Sequence, residues 1–398
     1  MNKSSLISFI DALKHIEAHS KCLVNTEEIN LSDALYRILA IDITAPINVP
    51  PAANSAMDGY ALRHAEWLPD KKFPISQRIA AGTVPTPLEE NTCARIFTGA
   101  EIPQGTNIVV MQENAIVANQ SVSFPDQPKL HENIRPKGQD ITQGVLIFQK
   151  GKQLQAQHIG MLANLGINRL KVFKRLKVGV LTTGTELIHA GASLQKGQIY
   201  NSNGPMLNAL ITQLGHDVNS YQHVPDDPTL TEQTLLEMSK VSDVIISSGG
   251  VSVGEEDYVK SVIEKNGHLS LWKVAIKPGK PLIHGNVFNT VFLGLPGNPS
   301  STLVTFHWFA RLVLSICAGK TVEFPKGFAV AAGFARDRAI TRDEFLRVTI
   351  ENNFAVAHSQ QSSGALNAAC QSDGYLHIPA GEKIVIDKLF TYYPFSSF

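Results

Sequence analysis

Leu6, Ile7, Phe9, Ile10, Leu13 and Ile16 are apolar, and Asp11, Lys14 and Glu17 interrupt them. This helical period predicts an amphipathic helix. A second helix is expected over LSDALYRILA, with Ser32 or Asp33 as its cap, until Pro46, Pro50 and Pro51 end the pattern. Residues 46–143 have a different character: short runs such as RIF, NIVVMQ and SVSF stand between Gly, Pro and Asn, which predicts a small β-rich unit. Helical periodicity returns over 155–165 and stops at Gly166.

From Lys177 onward, strand and helix patterns alternate. KVGVLTTG, VSDVIISSGG, LWKVAI and TVFLGLPG read as strands. NGPMLNALITQLG, opened by Pro205 and stopped by Gly215, reads as a helix, as does NPSSTLVTFHWFARLVLSI. The alternation predicts a three-layer α/β domain with a parallel-type sheet over about 175–320. Within it, Leu303 to Cys317 is short for a membrane span and carries His307 and Arg311, so a buried core helix is expected. Beyond it, FLRVTI, YLHIPAG and KIVIDKLF alternate without a long helix and predict a small all-β domain.

A chain of 398 residues exceeds one ordinary core and predicts two to four domains. With 35 basic and 35 acidic residues the formal charge is zero, which argues against a broad nucleic-acid surface. The four cysteines, at 22, 93, 317 and 370, show no CxxC spacing; neither a zinc site nor a disulfide framework is expected. With no signal-peptide pattern at the start, a cytoplasmic protein without membrane attachment is expected.

In an open parallel sheet, ligands bind beyond the carboxyl ends of the strands. Four loops are expected there. LTTGTELI carries Glu186; HVPDDP carries Asp226 and Asp227; SSGGVSVGEEDY carries Gly249, Gly250, Ser252 and Asp257; LPGNPSST carries Pro296, Asn298 and Pro299. In the last loop Asn298 can cap a helix that begins at Pro299, leaving N–H groups free for an anion. KVAIKPGKP adds Lys273, Lys277 and Lys280. Singly, each has a bland reading: a tight turn for the glycines, a helix cap for Asp227 or Glu186, a solvated face for the lysines. Together they suit an oxyanion site in which Mg²⁺ bridges phosphate and carboxylates. A second candidate is PPAANSAMDGYAL, whose small residues leave Asp58 little covered, although Asp-Gly is also an ordinary turn dipeptide.

NSAMDGYAL, RIFTGAEIP, RPKGQDI, TTGTEL, GQIYNSN, SSGGVSVGEEDY, KVAIKPGKP and LPGNPSS follow one another in this order. On these motifs the chain resembles the MoeA family of molybdopterin molybdenumtransferases, which includes the C-terminal domain of gephyrin. The resemblance implies four parts: a helical domain from 1–45 with 144–174, an inserted β-rich domain at 46–143, an α/β (MogA-like) domain at 175–320 and a C-terminal β-barrel domain at 321–398. It implies insertion of molybdenum from molybdate into adenylylated molybdopterin, with Mg²⁺-dependent hydrolysis and AMP release. It also implies a homodimer whose site is shared between subunits, an adenylyltransferase that delivers substrate, and acceptor proteins for the cofactor.

By the same resemblance Asp58, Glu186, Asp226 and Asp257 would be catalytic, with Asp257 and Asp226 on the metal. Thr98, Asp140, Gly249, Gly250, Ser252, Lys273, Lys277, Lys280, Pro296, Asn298 and Pro299 would bind substrate. Arg347 and either Ser362 or Ser363 would meet molybdate. The chain departs from the pattern at Thr185, where relatives often carry Asp. Two other readings stay open: an adenylyltransferase, which would need the α/β domain alone, and a receptor-binding scaffold, which would need an extra linker and trimerising domain.

Overall fold

The predicted first helix is Phe9–His19, and Ser8 caps it: the Asp11 N–H donates to Ser8 Oγ at 3.1 Å. Its buried face is Phe9, Ala12, Leu13 and Ile16. The second expected helix does not form. In this computed structural model, which describes residues 6–251 and 257–398, only Leu31–Asp33 makes a 3₁₀ turn. Tyr36 then adopts φ 62°, which breaks any helix. The following backbone pairs with distant segments instead, Leu39 N–H with Lys152 O at 3.0 Å and Ala40 N–H with Lys171 O at 3.0 Å. Extended pairing buries Leu39 completely, and that tertiary gain overrides a modest helical preference.

The chain divides into two units: Met1–Ala40, Lys150–Gln155 and Leu170–Phe398 in one, Ile41–Gln149 and Ala156–Arg169 in the other. The second unit is built on a six-stranded sheet in the order Ile108–Met111, Gly59–Leu62, Cys93–Ile96, Phe73–Ile79, Ser121–Ser123, Ile116–Ala118. Gly59–Leu62 is buried throughout because the sheet has a core on each face: Tyr60 and Leu62 join Phe73 and Phe124, while Ala61 joins Ile79 and Ile96. The helix Ala156–Asn164 also belongs here, and Gly166 at φ 73° follows it.

The larger unit contains the α/β domain. Its six-stranded sheet runs Asp217–Val224, Lys177–Thr183, Val244–Ser248, Thr290–Leu295, Ile283–Val287, Gly267–Trp272. The first four strands are parallel; Ile283–Val287 alone runs against them, paired antiparallel with a neighbour on each side, so the sheet is mixed. The cause is a two-residue turn at Phe288 and Asn289, both at positive φ (46° and 65°), which folds Ile283–Val287 directly back into Thr290–Leu295. Helices cover both faces. Phe9–His19, Asn203–Gln213 and Pro299–Cys317 pack on one, Pro228–Ser239 and Tyr258–Asn266 on the other. Pro299–Cys317 is long and apolar enough to cross a membrane, but 83% of its most apolar window is packed inside the protein, as its charged positions predicted.

Five strands close a C-terminal barrel: Asp343–Glu351, Phe354–Ala357, Phe328–Ala332, Leu389–Pro394 and Gly374–Ile378, the last returning to the first. Of KIVIDKLF only the end, from Leu389, is strand; Asp387 turns at φ 66° just before it. LWKVAI is likewise split. The sheet strand ends at Trp272, and Ile276–Lys277 pairs in parallel with Asp343 and Glu344 of the barrel. That pairing sets the KPGKP segment between sheet and barrel.

Candidate active site

In register, Thr182 pairs with Ser248, Ser248 with Leu295, and Thr183 with Val224. The four predicted loops therefore leave one edge of the sheet within a residue of one another. They open onto a cavity of about 1000 Å³. Its lining includes Glu186, Asp226 and Asp257, Gly249 and Gly250, Pro296, Asn298 and Pro299, and the lysines Lys277 and Lys280. From the barrel side come Arg342, Ser362 and Ser363. Three carboxylates and three cations thus share one wall system within this unit.

Buried hydrogen bonds brace the rim. Asn203 Nδ2 donates to Ser248 Oγ at 2.8 Å and to Gly297 O at 2.6 Å, tying the Gly-Gly loop to the PGNP loop. Ser248 Oγ and Thr302 Oγ1 both donate to Pro296 O, at 3.0 and 2.6 Å. Gly249 and Gly250 lie at φ 99° and 67°, and a Cβ on Gly249 would come within 2.8 Å of Thr183 O. Glycine is needed there for conformation and for space. Thr183 Oγ1 and Asn203 Oδ1 are buried on this rim without hydrogen-bond partners, polar capacity suited to a ligand.

The two aspartates of VPDD divide their work. Asp227 Oδ1 accepts the Leu230 N–H at 2.7 Å and caps Pro228–Ser239. Asp226 turns to the cavity, where its Oδ2 accepts the Thr185 N–H at 2.9 Å while its own N–H donates to Thr185 Oγ1 at 3.0 Å. Thr185 therefore braces Asp226. No helix follows Glu186, only the short strand Leu187–Ile188, so the capping reading of Glu186 falls away. Asn298 sits at a helix start, but its side chain makes no capping bond.

Some expected residues lie elsewhere. Lys273 does not line the cavity; its ammonium stands 3.7 Å over the Trp272 ring. Arg347 is 1% exposed and lies outside the lining. Its Nη2 donates to Ser362 O at 3.0 Å and Gln360 O at 3.3 Å, so it supports the cavity loop from within the barrel. Desolvation lowers the pKa of that guanidinium. Ser252 lies outside the described residues. Arg342, Asn203 and Glu344 were not singled out by sequence. Asn203 had a signal, being inside the GQIYNSN motif, whereas Arg342 and Glu344 are unremarkable charges at the start of a strand.

In the β-rich unit, Asp58 and Thr98 are joined twice: Asp58 Oδ1 accepts the Thr98 N–H at 2.8 Å and its hydroxyl at 2.7 Å. The backbone bond first, then the hydroxyl, hold the Asp58 carboxyl below the usual range. Gly59 follows because a Cβ there would meet Val110 O at 2.0 Å. Asp140 is exposed on a separate turn, its N–H bonded to Val49 O at 2.9 Å.

Three family profiles match in order: the MoeA N-terminal region (domain I and II) over residues 7–166, a probable molybdopterin binding domain over 179–315, and the MoeA C-terminal region (domain IV) over 330–387. A molybdopterin molybdenumtransferase of Haemophilus influenzae is 39% identical over 343 residues, 83% of this chain and 84% of that protein. The chain belongs to the MoeA family. A second relative of the same name, from Synechococcus elongatus, is 33% identical over 89% of this chain and 91% of that protein. The MoeA fold is shared with two crystal structures of a molybdopterin biosynthesis MoeA protein from Pyrococcus horikoshii. Their TM-scores are 0.85 and 0.81, with 25% and 29% identity, covering 98% and 99% of this chain and all of theirs.

Proposed function

We propose that this MoeA-family chain is a molybdopterin molybdenumtransferase that acts late in molybdenum cofactor biosynthesis, inserting molybdenum from molybdate into adenylylated molybdopterin with release of AMP. The observation that carries the reading is the cavity of about 1000 Å³, which gathers Lys277, Lys280 and Arg342 with Glu186, Asp226 and Asp257 in one lining. Its volume is at the upper end for small-molecule sites and suits a substrate with both a pterin and a nucleotide. The cations neutralise phosphate and molybdate oxygens.

The donor set fits Mg²⁺. The carboxylates lining the cavity are hard oxygen ligands, of the kind Mg²⁺ takes one or two at a time beside substrate phosphate and water. Asp226 and Asp257 would hold it, and the ion would polarise the phosphoanhydride. Thr185 keeps Asp226 aimed at the cavity, and Glu186 takes the proton from the hydrolytic water. Lys277 and Lys280 orient the anions, and Arg347 keeps the Ser362 loop in place. Asp58, held ionised by Thr98, belongs to the same reaction. The proposal includes a homodimer in the cytoplasm, supplied by an adenylyltransferase and emptied by acceptor apoproteins.

The test is AMP release from adenylylated molybdopterin. Release should require both molybdate and Mg²⁺ and should be lost in a folded Asp257→Asn variant, whose amide cannot balance the cation. Release that ignores molybdate, or survives that change, overturns the reading. Consumption of ATP with unadenylylated molybdopterin would favour an adenylyltransferase instead.

A further inference from the structure

Lys277 is not alone at the cavity wall. Its ammonium lies 2.9 Å from Glu344 Oε1, and Glu344 Oε2 lies 2.5 Å from Arg336 Nη1. One carboxylate therefore serves two cations. We propose that Glu344 is the resting counter-ion of Lys277, and that Arg336 takes over this carboxylate when an oxyanion in the cavity draws the lysine away. The idea rests on Lys277 being an anion-binding group.

The three groups differ in freedom to move. Glu344 is 2% exposed and sits in the barrel strand Asp343–Glu351, directly opposite Lys277 in the parallel pairing. Its carboxylate cannot follow an anion into the cavity. The Lys277 side chain is 42% exposed, lines the cavity and has four flexible methylenes, so it can. Departure of the lysine would leave a buried charge, a costly state unless another cation compensates. Arg336 is placed to do so, with donors in reserve: its Nε and Nη2 are buried without hydrogen-bond partners, as is Glu344 Oε2. The present ion pair is close but poorly aligned. A small rotation would turn it into a two-pronged guanidinium–carboxylate fork once Lys277 has left.

Glu344 is thus an affinity-setting residue that acts through Lys277. While the cavity is empty it keeps Lys277 paired, so an arriving anion must compete for that ammonium. Arg336 lowers the cost of the exchange. The two residues should therefore affect anion binding in opposite directions, and only while Lys277 is present.

Titration calorimetry of the full chain with molybdate alone, repeated with sulfate, tests this directly. Glu344→Gln should tighten molybdate by about tenfold, and Arg336→Gln should weaken it by about tenfold, the scale of one charge-assisted contact. In the Lys277→Ala background both changes should lose their effect. Opposite shifts that persist without Lys277 would reveal only the general field of the two charges and overturn the exchange. Equal loss in both single variants would mean a packing role and overturn it too. Should Glu344→Gln fail to fold, Arg336→Gln with and without Lys277→Ala decides alone, since Arg336 is partly exposed. If Lys277→Ala leaves molybdate binding unchanged, the anion-binding reading of that lysine fails first, and this inference with it.

Discussion

Thr185 and Asp226 hold each other by two reciprocal bonds, each backbone N–H donating to the other's side chain at 2.9 and 3.0 Å. Asp226 is thereby fixed at the end of its strand, facing the cavity. Thr185→Val keeps the shape but removes the hydroxyl acceptor, at a cost of about 1 kcal/mol. The Mg²⁺ concentration needed for half-maximal AMP release should rise severalfold with little change in thermal midpoint. A metal titration identical to the wild type would show that Thr185 does not position Asp226.

Arg347 bonds two carbonyls of the loop that carries Ser362, using one guanidinium nitrogen for Gln360 O and Ser362 O. A lysine lacks the planar, preorganised guanidinium that holds this nitrogen between the two carbonyls. Arg347→Lys should speed amide exchange over residues 358–363 and reduce molybdate-dependent turnover at least tenfold. If turnover falls while exchange in that loop stays at the wild-type rate, the arginine acts on the anion itself.

The two bonds from Thr98 to one oxygen of Asp58 predict a pH effect with a definite sign. They depress the carboxyl pKa, so Asp58 stays ionised to lower pH than an ordinary aspartate. Thr98→Val removes the hydroxyl donor and leaves the N–H. The acidic limb of the activity profile should then move to higher pH. A limb that stays in place would assign it to another group.

Three buried histidines make stability pH-dependent. Burial is the first cause at each site, lowering His216 and His284 to about 4 and His307 to about 3. The unfolded chain takes up their protons near the ordinary value of about 6.5, while the folded chain keeps them neutral to much lower pH. Stability is therefore fully present above about pH 6.5 and declines as pH falls toward 4, by up to ~2 kcal/mol per histidine at pH 5. The thermal midpoint should drop between pH 7 and 5, and His307→Gln should flatten that drop. An unchanged slope in the variant would exclude His307 as a contributor.

The rim of the α/β domain was legible in the chain itself. An apolar run followed by Thr-Gly, Gly-Gly or Pro-Gly determines a strand and the loop at its end through contacts a few residues apart. Placement of Gly249, Asp226 and Pro299 on one edge follows from the parallel order that alternating strands and helices impose, whereas Lys277 reaches the cavity through its pairing with the barrel strand. Asp227 as a cap and Pro299–Cys317 as a buried helix were local signals as well. Other features depended on partners distant in sequence. LSDALYRILA has a helical pattern, yet Leu39 pairs with Lys152, over a hundred residues away, and becomes extended. Ile283–Val287 runs antiparallel to Thr290–Leu295 because Phe288 and Asn289, lacking the usual Asn-Gly signature, still make a tight turn. Glu344 and Arg336 look like ordinary strand charges until the barrel closes and buries a carboxylate between two cations. Hydrogen bonds and ion pairs between remote residues gain their strength from burial, and burial is a property of the assembled core. The sequence by itself therefore determined which loops could hold an anion, while the tertiary structure decided which charges stand beside it and which, like Arg347 and Lys273, do not.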